Sequence, residues 1–542
     1  MSARAWTLSL PLALPSLARW ILAAASGAIL SFSYRGAHPA FLSWFCLALL
    51  LASFIGARGR VAFLCGFFHG LIFVVTCVPW IAEVLAVHGG MSVAAGWGVL
   101  LLVAVTWGAS IGLFAWAVEA LSRRSLALAL AGAPFLWIST EVLRAYLPEI
   151  SFPWSLLGYP AAGNPALVQL TTLTGIYGLS FFVAAFNSLL VWVLLESPAP
   201  VRRLRLAISA VVALLLVLCC WIGPRFVPRA EAHHTARVVQ PDFPENLRYF
   251  GDWYKDHAAD LLELRQLSLR PSSSSPSPDL LIWPEAPAPF SMQDPNFAQL
   301  LGGLARDFGH PVVAGVIEWK RAQIELHGAL RNIQVPFNSA VGLDPAGQRF
   351  FSYDKMHLVP FGEYEPFPLI HRVVTSVSSE VGGFRKGTER SVGRLPGGNT
   401  FSVFICYEAI YPGEVRQFAD RGAELLLNIS NDGWFGTSEA AEQHLRMVRV
   451  RAVENRRWIV RDTNSGITAA IDPYGNVYRV LRRDLRDSAD LPYDFRTDKT
   501  LYTRWGDAFA WMCVGVSAIL VGLTFRKGTE PRPSAAPKKT KK

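Results

Sequence analysis

Three chemically reactive side chains each stand directly after an apolar run that is typical of a buried strand. Cys406 follows Phe-Ser-Val-Phe-Ile, Glu285 follows Leu-Leu-Ile-Trp-Pro, and Lys355 follows Phe-Phe-Ser-Tyr-Asp. Taken singly, Cys406 is typical of a small buried residue, and Glu285 and Lys355 are typical of solvated strand ends. Taken together, a thiol, a carboxylate and an ammonium supply the nucleophile, the base and the cation of thiol acyl chemistry. We therefore expect the three side chains to converge at the ends of their strands.

Cys406 differs from the other cysteines in its surroundings. The chain has seven cysteines, and the other six lie within long apolar segments, at positions 46, 65, 77, 219, 220 and 513. Cys406 therefore has no disulfide partner in the polar part of the chain, and a free thiol in an oxidising compartment indicates a chemical role. Pro412-Gly413 opens a helix soon after it. We expect that helix N-terminus to favour the thiolate.

The composition indicates several membrane spans together with one sizeable folded domain. The chain has 542 residues, of which 52% are hydrophobic, and a mean hydropathy of +0.30. Eight apolar segments can each cross about 30 Å of hydrocarbon, which argues against buried core helices of a soluble protein. The predicted spans are 17–34, 40–56, 61–82, 92–120, 126–146, 170–195, 204–222 and 507–525.

Loop charges predict the orientation and hence the domains. Lysine and arginine occur in the loops after the second, fourth and sixth spans and in the tail, whereas the connection 83–90 has none. Basic loops stay in the cytoplasm, so both termini are predicted to be cytoplasmic. We predict a seven-helix transmembrane domain over 1–222, an extracytoplasmic catalytic domain over 223–505, and a last transmembrane helix with a basic cytoplasmic tail over 506–542.

The net charge of +10 does not indicate nucleic-acid binding. The tail 526–542 holds seven Lys or Arg against one Glu, so +6 of the +10 lies in a short segment next to the membrane. Such a segment favours anionic lipid and correct insertion. The chain carries no nucleic-acid-binding motif.

The segment 223–505 reads as an α/β domain. Helical patterns over 253–269, 296–308 and 438–455 lie between strand-like runs. Those runs are 236–239, 280–283, 312–317, 339–343, 350–353, 401–406, 425–429, 458–461 and 467–471.

The settings Ile-Trp-Pro-Glu285, Tyr-Asp-Lys355-Met-His-Leu-Val-Pro-Phe-Gly-Glu and Phe-Ile-Cys406-Tyr-Glu resemble the Glu-Lys-Cys triad of the nitrilase superfamily. With its flanking spans, the whole chain resembles the bacterial apolipoprotein N-acyltransferase family. The resemblance implies that the segment 223–505 is a four-layer αββα sandwich. It places the protein in the inner membrane, with this domain on the periplasmic side, and implies no cofactor. It also implies a phospholipid as acyl donor, a Cys406 thioester intermediate, and the α-amino group of an S-diacylglyceryl-cysteine apolipoprotein as acceptor.

Further residues are candidates for supporting roles. Glu363 could orient Lys355 or substrate, and Glu408 could hold Lys355 or the thiol loop in place. Candidate oxyanion donors are Tyr407, the backbone amide after Cys406, and Asn431. Trp434, in the run Asn431-Asp432-Gly433-Trp434-Phe435, is a candidate for substrate binding. So is Tyr249, which stands where the family usually has a tryptophan. The segment 366–374 resembles a mobile loop over the site.

Three other functions have to be considered for this chain. A membrane-tethered nitrilase-type amidase would use the same triad on a soluble amide. An inactive lipoprotein-binding module is disfavoured by the intact triad, and a transporter by the scarcity of ionisable residues within the spans. The histidines show no metal-ligand spacing, so a metal site is not expected.

Overall fold

The computed structural model describes residues 16–36, 38–87, 91–147, 151–195, 198–244, 253–272, 274–286, 288–326, 329–364 and 383–525. Structural statements below concern these residues. Tyr249, the predicted loop 366–374 and the basic tail 526–542 lie outside them.

The first part of the chain is helical. Its helices are α1 (Ser16–Phe32), α2 (Ser43–Phe54), α3 (Gly59–Cys77), α4 (Trp80–Val87), α5 (Val93–Ser122), α6 (Leu126–Tyr146), α7 (Gly158–Ala161), α8 (Thr171–Leu194) and α9 (Ala199–Trp221). A further apolar helix lies near the end of the described chain, Ala508–Phe525.

Within the described ranges, six helices are long and apolar enough to cross a membrane. They are Gly59–Cys77, Val93–Ser122, Leu126–Tyr146, Leu167–Leu194, Ala199–Trp221 and Ala508–Phe525. The first two predicted spans form shorter apolar helices, Ser16–Phe32 and Pro39–Phe54. The predicted span 61–82 is broken at Pro79 into α3 and α4, because proline lacks the amide that a continuous helix requires.

Small residues let the membrane helices approach closely. A methyl group added at Gly66 of α3 would lie 2.4 Å from the carbonyl oxygen of Ile111 in α5, and one at Gly70 would lie 2.6 Å from the Cα of Gly108. Only glycine permits such backbone contact, which drives helix association in a bilayer.

The segment 234–493 contains two six-stranded sheets. Their strands are β1 (His234–Gln240), β2 (Leu280–Ile282), β3 (Val312–Leu326), β4 (Ala329–Leu343), β5 (Arg349–Asp354), β6 (Gly393–Arg394), β7 (Thr400–Ile405), β8 (Leu425–Ser430), β9 (Trp458–Thr463), β10 (Ala469–Ile471), β11 (Val477–Val480) and β12 (Asp487–Tyr493). The first sheet has the order β12-β1-β2-β3-β4-β5 and the second β11-β10-β9-β8-β7-β6. Strands β1, β2 and β3 are parallel, as are β7, β8 and β9, so the ends of each set open at one sheet edge.

Helices cover both outer faces of the paired sheets. These helices are α10 (Trp253–Asp256), α11 (Ala258–Ser268), α12 (Pro295–Phe308), α13 (Pro412–Asp420) and α14 (Ala440–Asn455). One apolar core joins the two sheets with α13 and α14, and a second lies between the first sheet and α11 and α12. The layers are therefore α, β, β and α, which confirms the predicted sandwich.

Helix α14 serves two cores. Val448 and Ala452 pack against the second sheet, whereas Met447, Val450 and Val453 belong to the core of the membrane helices. The chain then forms α15 (Leu501–Trp505) and α16 (Ala508–Phe525). The two-sheet domain is thus packed onto the helical bundle along this shared helix.

Candidate active site

Lys355 lies between two carboxylates just beyond the end of β5. Its ammonium nitrogen is 2.9 Å from Glu285 Oε1 and 3.1 Å from Glu363 Oε1. The lysine is 1% exposed, so these charges interact with little screening by water. Burial would lower the pKa of Lys355, but the charges of Glu285 and then Glu363 raise it above its ordinary value. Lys355 is therefore a fixed cation in this site.

Two neutral donors complete the surroundings of Glu285. The amide nitrogen of Asn338 lies 2.7 Å from Glu285 Oε1 and also 2.7 Å from Glu363 Oε1. The backbone amide of Asn431 donates to Glu285 Oε2 at 2.8 Å. Asn338 was missed by the sequence reasoning, because it lies inside the apolar strand β4 and only the sheet register places it beside the triad.

Cys406 occupies a strained turn at the end of β7. Its φ is +47°, a conformation that residues other than glycine seldom adopt outside functional turns. It opens a 3₁₀ turn, Cys406–Ile410, that precedes α13. Glu285 and Lys355 are the two side chains that act most strongly on the charge of its thiol, so the three predicted residues do share one site.

The helix N-terminus was expected to favour the thiolate of Cys406, but other groups dominate the pKa of this thiol. Burial, followed by the negative charge of Glu285, raises the pKa of the Cys406 thiol well above its ordinary value. Lys355 lowers the pKa, but its effect is smaller. Burial and the charge of Glu285 therefore favour the protonated thiol.

Glu408 joins the two chain segments that carry Cys406 and Lys355. Its Oε2 accepts from the backbone amide of Ile405 at 2.7 Å. Its Oε1 accepts from the amide of Met356 and the hydroxyl of Tyr353, each at 2.7 Å. Glu408 thus contacts the backbone of the turn that carries Cys406 and the backbone just after Lys355, rather than the Lys355 side chain.

Glu363 is placed to orient Lys355. Besides the contact of its Oε1 with the lysine, its Oε2 accepts the backbone amide of Val359 at 2.8 Å. The carboxylate is therefore held by its own loop.

The residues after Cys406 contact the membrane domain. The hydroxyl of Tyr407 donates to the carbonyl of Ser151 at 3.3 Å, and that of Tyr411 does so at 2.9 Å. The Tyr407 ring also stacks on Phe152, with ring centroids 6.3 Å apart. The Tyr407 hydroxyl is thus directed at the membrane domain, and its backbone amide remains the candidate oxyanion donor.

Comparison with known proteins identifies the chain. Residues 26–189 match the model of the apolipoprotein N-acyltransferase N-terminal domain, and residues 235–484 match that of the carbon-nitrogen hydrolase domain. Apolipoprotein N-acyltransferase of Geobacter metallireducens is 32% identical, with 94% of this chain and 95% of the relative covered. That of Azotobacter vinelandii is 30% identical, with 95% and 96% covered. The chain belongs to the apolipoprotein N-acyltransferase family.

Membership of the apolipoprotein N-acyltransferase family confirms the predicted enzyme class, an N-acyltransferase of the nitrilase superfamily with a helical membrane domain. A solved mutant amidase of the nitrilase superfamily from Nesterenkonia is 20% identical, covers 49% of this chain and 93% of that chain, and has a TM-score of 0.35. The fold assignment rests on the family model and the observed layers.

Three candidate residues of this N-acyltransferase remain. Trp434 lies in the 3₁₀ turn Asp432–Phe435 and is 37% exposed. Asn431 contributes its backbone amide to Glu285, as described above, and Tyr249 lies outside the described residues. In the described part of the chain, no three His, Cys, Asp or Glu side chains are grouped as a metal site would require.

Proposed function

We propose that this enzyme transfers an acyl chain from a membrane phospholipid to the N-terminal α-amino group of an S-diacylglyceryl-cysteine apolipoprotein. The acyl group passes through a thioester on Cys406. The products are a lysophospholipid and a triacylated lipoprotein. The catalytic domain 223–505 faces the periplasm from the inner membrane, and both chain termini are cytoplasmic.

In the first half-reaction Glu285 takes the proton of the Cys406 thiol as the sulfur attacks the sn-1 ester carbonyl of the phospholipid. Lys355 and the Tyr407 backbone amide stabilise the oxyanion that forms. The tetrahedral intermediate then expels the glycerol oxygen, which receives the proton held by Glu285. A carbon-sulfur bond has replaced a carbon-oxygen bond, and lysophospholipid leaves.

In the second half-reaction the α-amino group of the apolipoprotein attacks the thioester carbonyl. Glu285 accepts a proton from the amine, and the thiolate that leaves takes that proton back. An amide has formed and the free enzyme is restored, so the kinetics are ping-pong. A thioester suits this order because it is reactive toward amines yet persists where water is excluded.

The observation that carries the proposal is the contact between Tyr407, the residue next to Cys406, and Ser151 of the membrane domain. It supports lipid access, because the nucleophile lies on the side of the sandwich that packs against the helices. The aromatic rings of Phe152, Trp154 and Trp80 lie along the same junction. The relatives' shared name, apolipoprotein N-acyltransferase, supports the choice of acceptor.

Intact-mass spectrometry tests the first half-reaction. Purified enzyme mixed with phospholipid alone should gain one fatty-acyl mass on the peptide that contains Cys406. A diacylated lipopeptide should then remove the adduct and appear as the triacylated product. The variant Cys406→Ser should insert into the membrane and give no turnover through a thioester. Turnover retained by Cys406→Ala would exclude Cys406 as the nucleophile.

Ammonia release, measured beside lipopeptide acylation, distinguishes the amidase from the acyltransferase. Release of ammonia from simple amides, without any triacylated lipopeptide, would show that a soluble amide is the substrate. The shared names of the relatives make this the weaker candidate.

A further inference from the structure

His444 of α14 is bound through both nitrogens of its ring. Its Nδ1 lies 3.0 Å from Asp432 Oδ1, and its Nε2 lies 3.0 Å from the backbone carbonyl oxygen of Cys406. The ring is fully buried. Neither Glu285 nor Lys355 contributes to this arrangement, so it is a second set of polar contacts to the nucleophilic residue.

The contact with Cys406 defines the proton on Nε2. A carbonyl oxygen only accepts, so Nε2 must donate. The other side of the ring is held by a buried ion pair, in which Arg461 binds Asp432 Oδ2 and also lies 3.3 Å from Nδ1. Burial opposes the charge of the Asp432 carboxylate, but Arg461 holds the pKa of its carboxyl well below the usual range. The ring is therefore oriented with its Nε2–H toward the Cys406 carbonyl.

The carbonyl that His444 binds shares a peptide unit with the amide of Tyr407. In a trans peptide the C=O and N–H groups point in opposite directions within one plane. A donor fixed on the carbonyl therefore fixes the direction of the Tyr407 amide. It also polarises the unit, which makes that N–H a stronger donor.

We propose that His444 is a positioning residue that sets and polarises the Cys406-Tyr407 peptide, so that the Tyr407 amide stabilises the oxyanion of each half-reaction. This inference rests on the proposed function. The strained φ of Cys406 agrees with it, because a residue at +47° needs an external contact to hold its peptide in place.

The membrane domain supports the same ring. Trp154 stacks on His444 with 5.7 Å between ring centroids, and its indole nitrogen donates to Gln443 Oε1 at 2.6 Å. His444 thus lies between the membrane domain and the nucleophilic turn. Its position is fixed from both sides.

Two variants separate its two hydrogen bonds. The amide nitrogen of glutamine in His444→Gln corresponds to Nε2 and can donate to the Cys406 carbonyl. That of asparagine in His444→Asn corresponds to Nδ1 and can reach only Asp432. Each variant keeps one buried hydrogen bond and loses the other, so the pair is matched for stability, which thermal unfolding in detergent checks.

The rate of Cys406 acylation by phospholipid in a single turnover is the measurement. We expect His444→Asn to be slower than wild type by about 100-fold, the range for losing one oxyanion donor, and His444→Gln to be slower by less than about 10-fold. The KM for phospholipid should be unchanged, because His444 does not touch substrate. Equal rates for the two variants, or a loss confined to KM, would overturn the proposal.

A second measurement holds even if neither variant folds. Replacing Tyr407 by its α-hydroxy acid turns the 406-407 amide into an ester, which removes the N–H and keeps the carbonyl that His444 binds. Acylation should fall by about 100-fold, and an unchanged rate would refute the role of this amide. If wild type gives no acyl adduct at all, the proposed function fails, and this inference fails with it.

Discussion

Lys355 and Glu285 form an ion pair of 2.9 Å that is almost wholly removed from solvent. The pair also binds Asn338 and the Asn431 amide, so each oxygen of Glu285 accepts at least one hydrogen bond before any substrate arrives. A carboxylate held in this way cannot rotate away from Lys355. This arrangement leads to separate predictions for the cation, the base and the loops.

Removing the cation should affect both activity and stability. Lys355→Met leaves Glu285 and Glu363 buried without their counter-ion, which costs about 3–5 kcal/mol when a buried pair is broken. We expect a lower Tm and a loss of acylation of at least about 100-fold. Lys320→Met is the control, since Lys320 pairs with Asp354 at 2.6 Å but is partly exposed. Comparable losses in the control would mean that the burial of Lys355 is not what matters.

Replacing Glu408 should lower kcat, because this carboxylate joins two loops of the site. Glu408→Gln offers one acceptor oxygen where the carboxylate has two, so either the Ile405 amide or the donors at Oε1 lose their partner. An unsatisfied buried donor costs about 1–3 kcal/mol, and we expect kcat to fall while KM changes little. Glu424→Gln is matched, because Glu424 accepts the Thr400 amide at 2.8 Å at the opposite end of β7. Steady-state kinetics measure kcat in both variants. An equal decrease in kcat would rule out a role specific to the loops of the site.

Alkylation of Cys406 should depend on pH in a defined direction. Because burial and Glu285 raise the pKa of the thiol, its reaction with iodoacetamide should still be increasing above about pH 8.5, the ordinary value for cysteine. In Glu285→Gln the second largest cause of the increase is removed, so the midpoint should move to lower pH. Mass spectrometry of the Cys406 peptide gives the rate at each pH. A midpoint that moves upward in the variant would contradict the assigned charges.

We expect the stability of the protein to depend on pH through Glu454, which lies at the contact between the two domains. Its Oε1 accepts from Arg451 at 3.0 Å and from the amide of Ile176 at 2.8 Å, just after α8 departs from helical geometry at Gly175. Burial raises the pKa of Glu454 to about 7, although Arg451 opposes this.

The native state therefore binds this proton more tightly than the unfolded chain does. Stability from this group is present below about pH 4.5 and is lost as the pH rises to about 7, at up to about 1.4 kcal/mol per pH unit. Thermal unfolding of Glu454→Gln should vary less with pH over this interval than wild type, while the exposed Glu442→Gln on the same helix should follow wild type. Parallel curves for all three proteins would show that Glu454 does not titrate there.

Local sequence predicted the core of the fold well. The apolar run before Cys406 and the one at 425–429 became β7 and β8 within one residue at each end, since buried parallel strands are continuous apolar runs. Three edge strands, β6, β11 and β12, were missed, because short strands and polar residues such as those in Asp487–Tyr493 carry no such signal. The hairpin of β3 and β4 is far longer than predicted, since charged residues such as Lys320 and Arg321 interrupt the apolar run, and cross-strand pairing continues beyond them.

Local sequence likewise predicted only part of the site. Glu285, Lys355 and Cys406 were found because each follows an apolar run, and their roles stay predictions until they are tested. Asn338 and His444 could not be found in this way. Asn338 lies within a strand and His444 within a helix, and each reaches the site only through the register or packing of its element. Long-range register is set by tertiary structure, which local patterning does not encode.

The shared helix α14 has a consequence for protein engineering. One side of it completes the sandwich and the other completes the helical bundle, so neither half of the molecule can be exchanged without exposing apolar surface. A chimaera that grafts a soluble amidase onto these membrane helices would present mismatched side chains along the whole seam. Any redesign of this transferase therefore has to treat the two sides of this helix together.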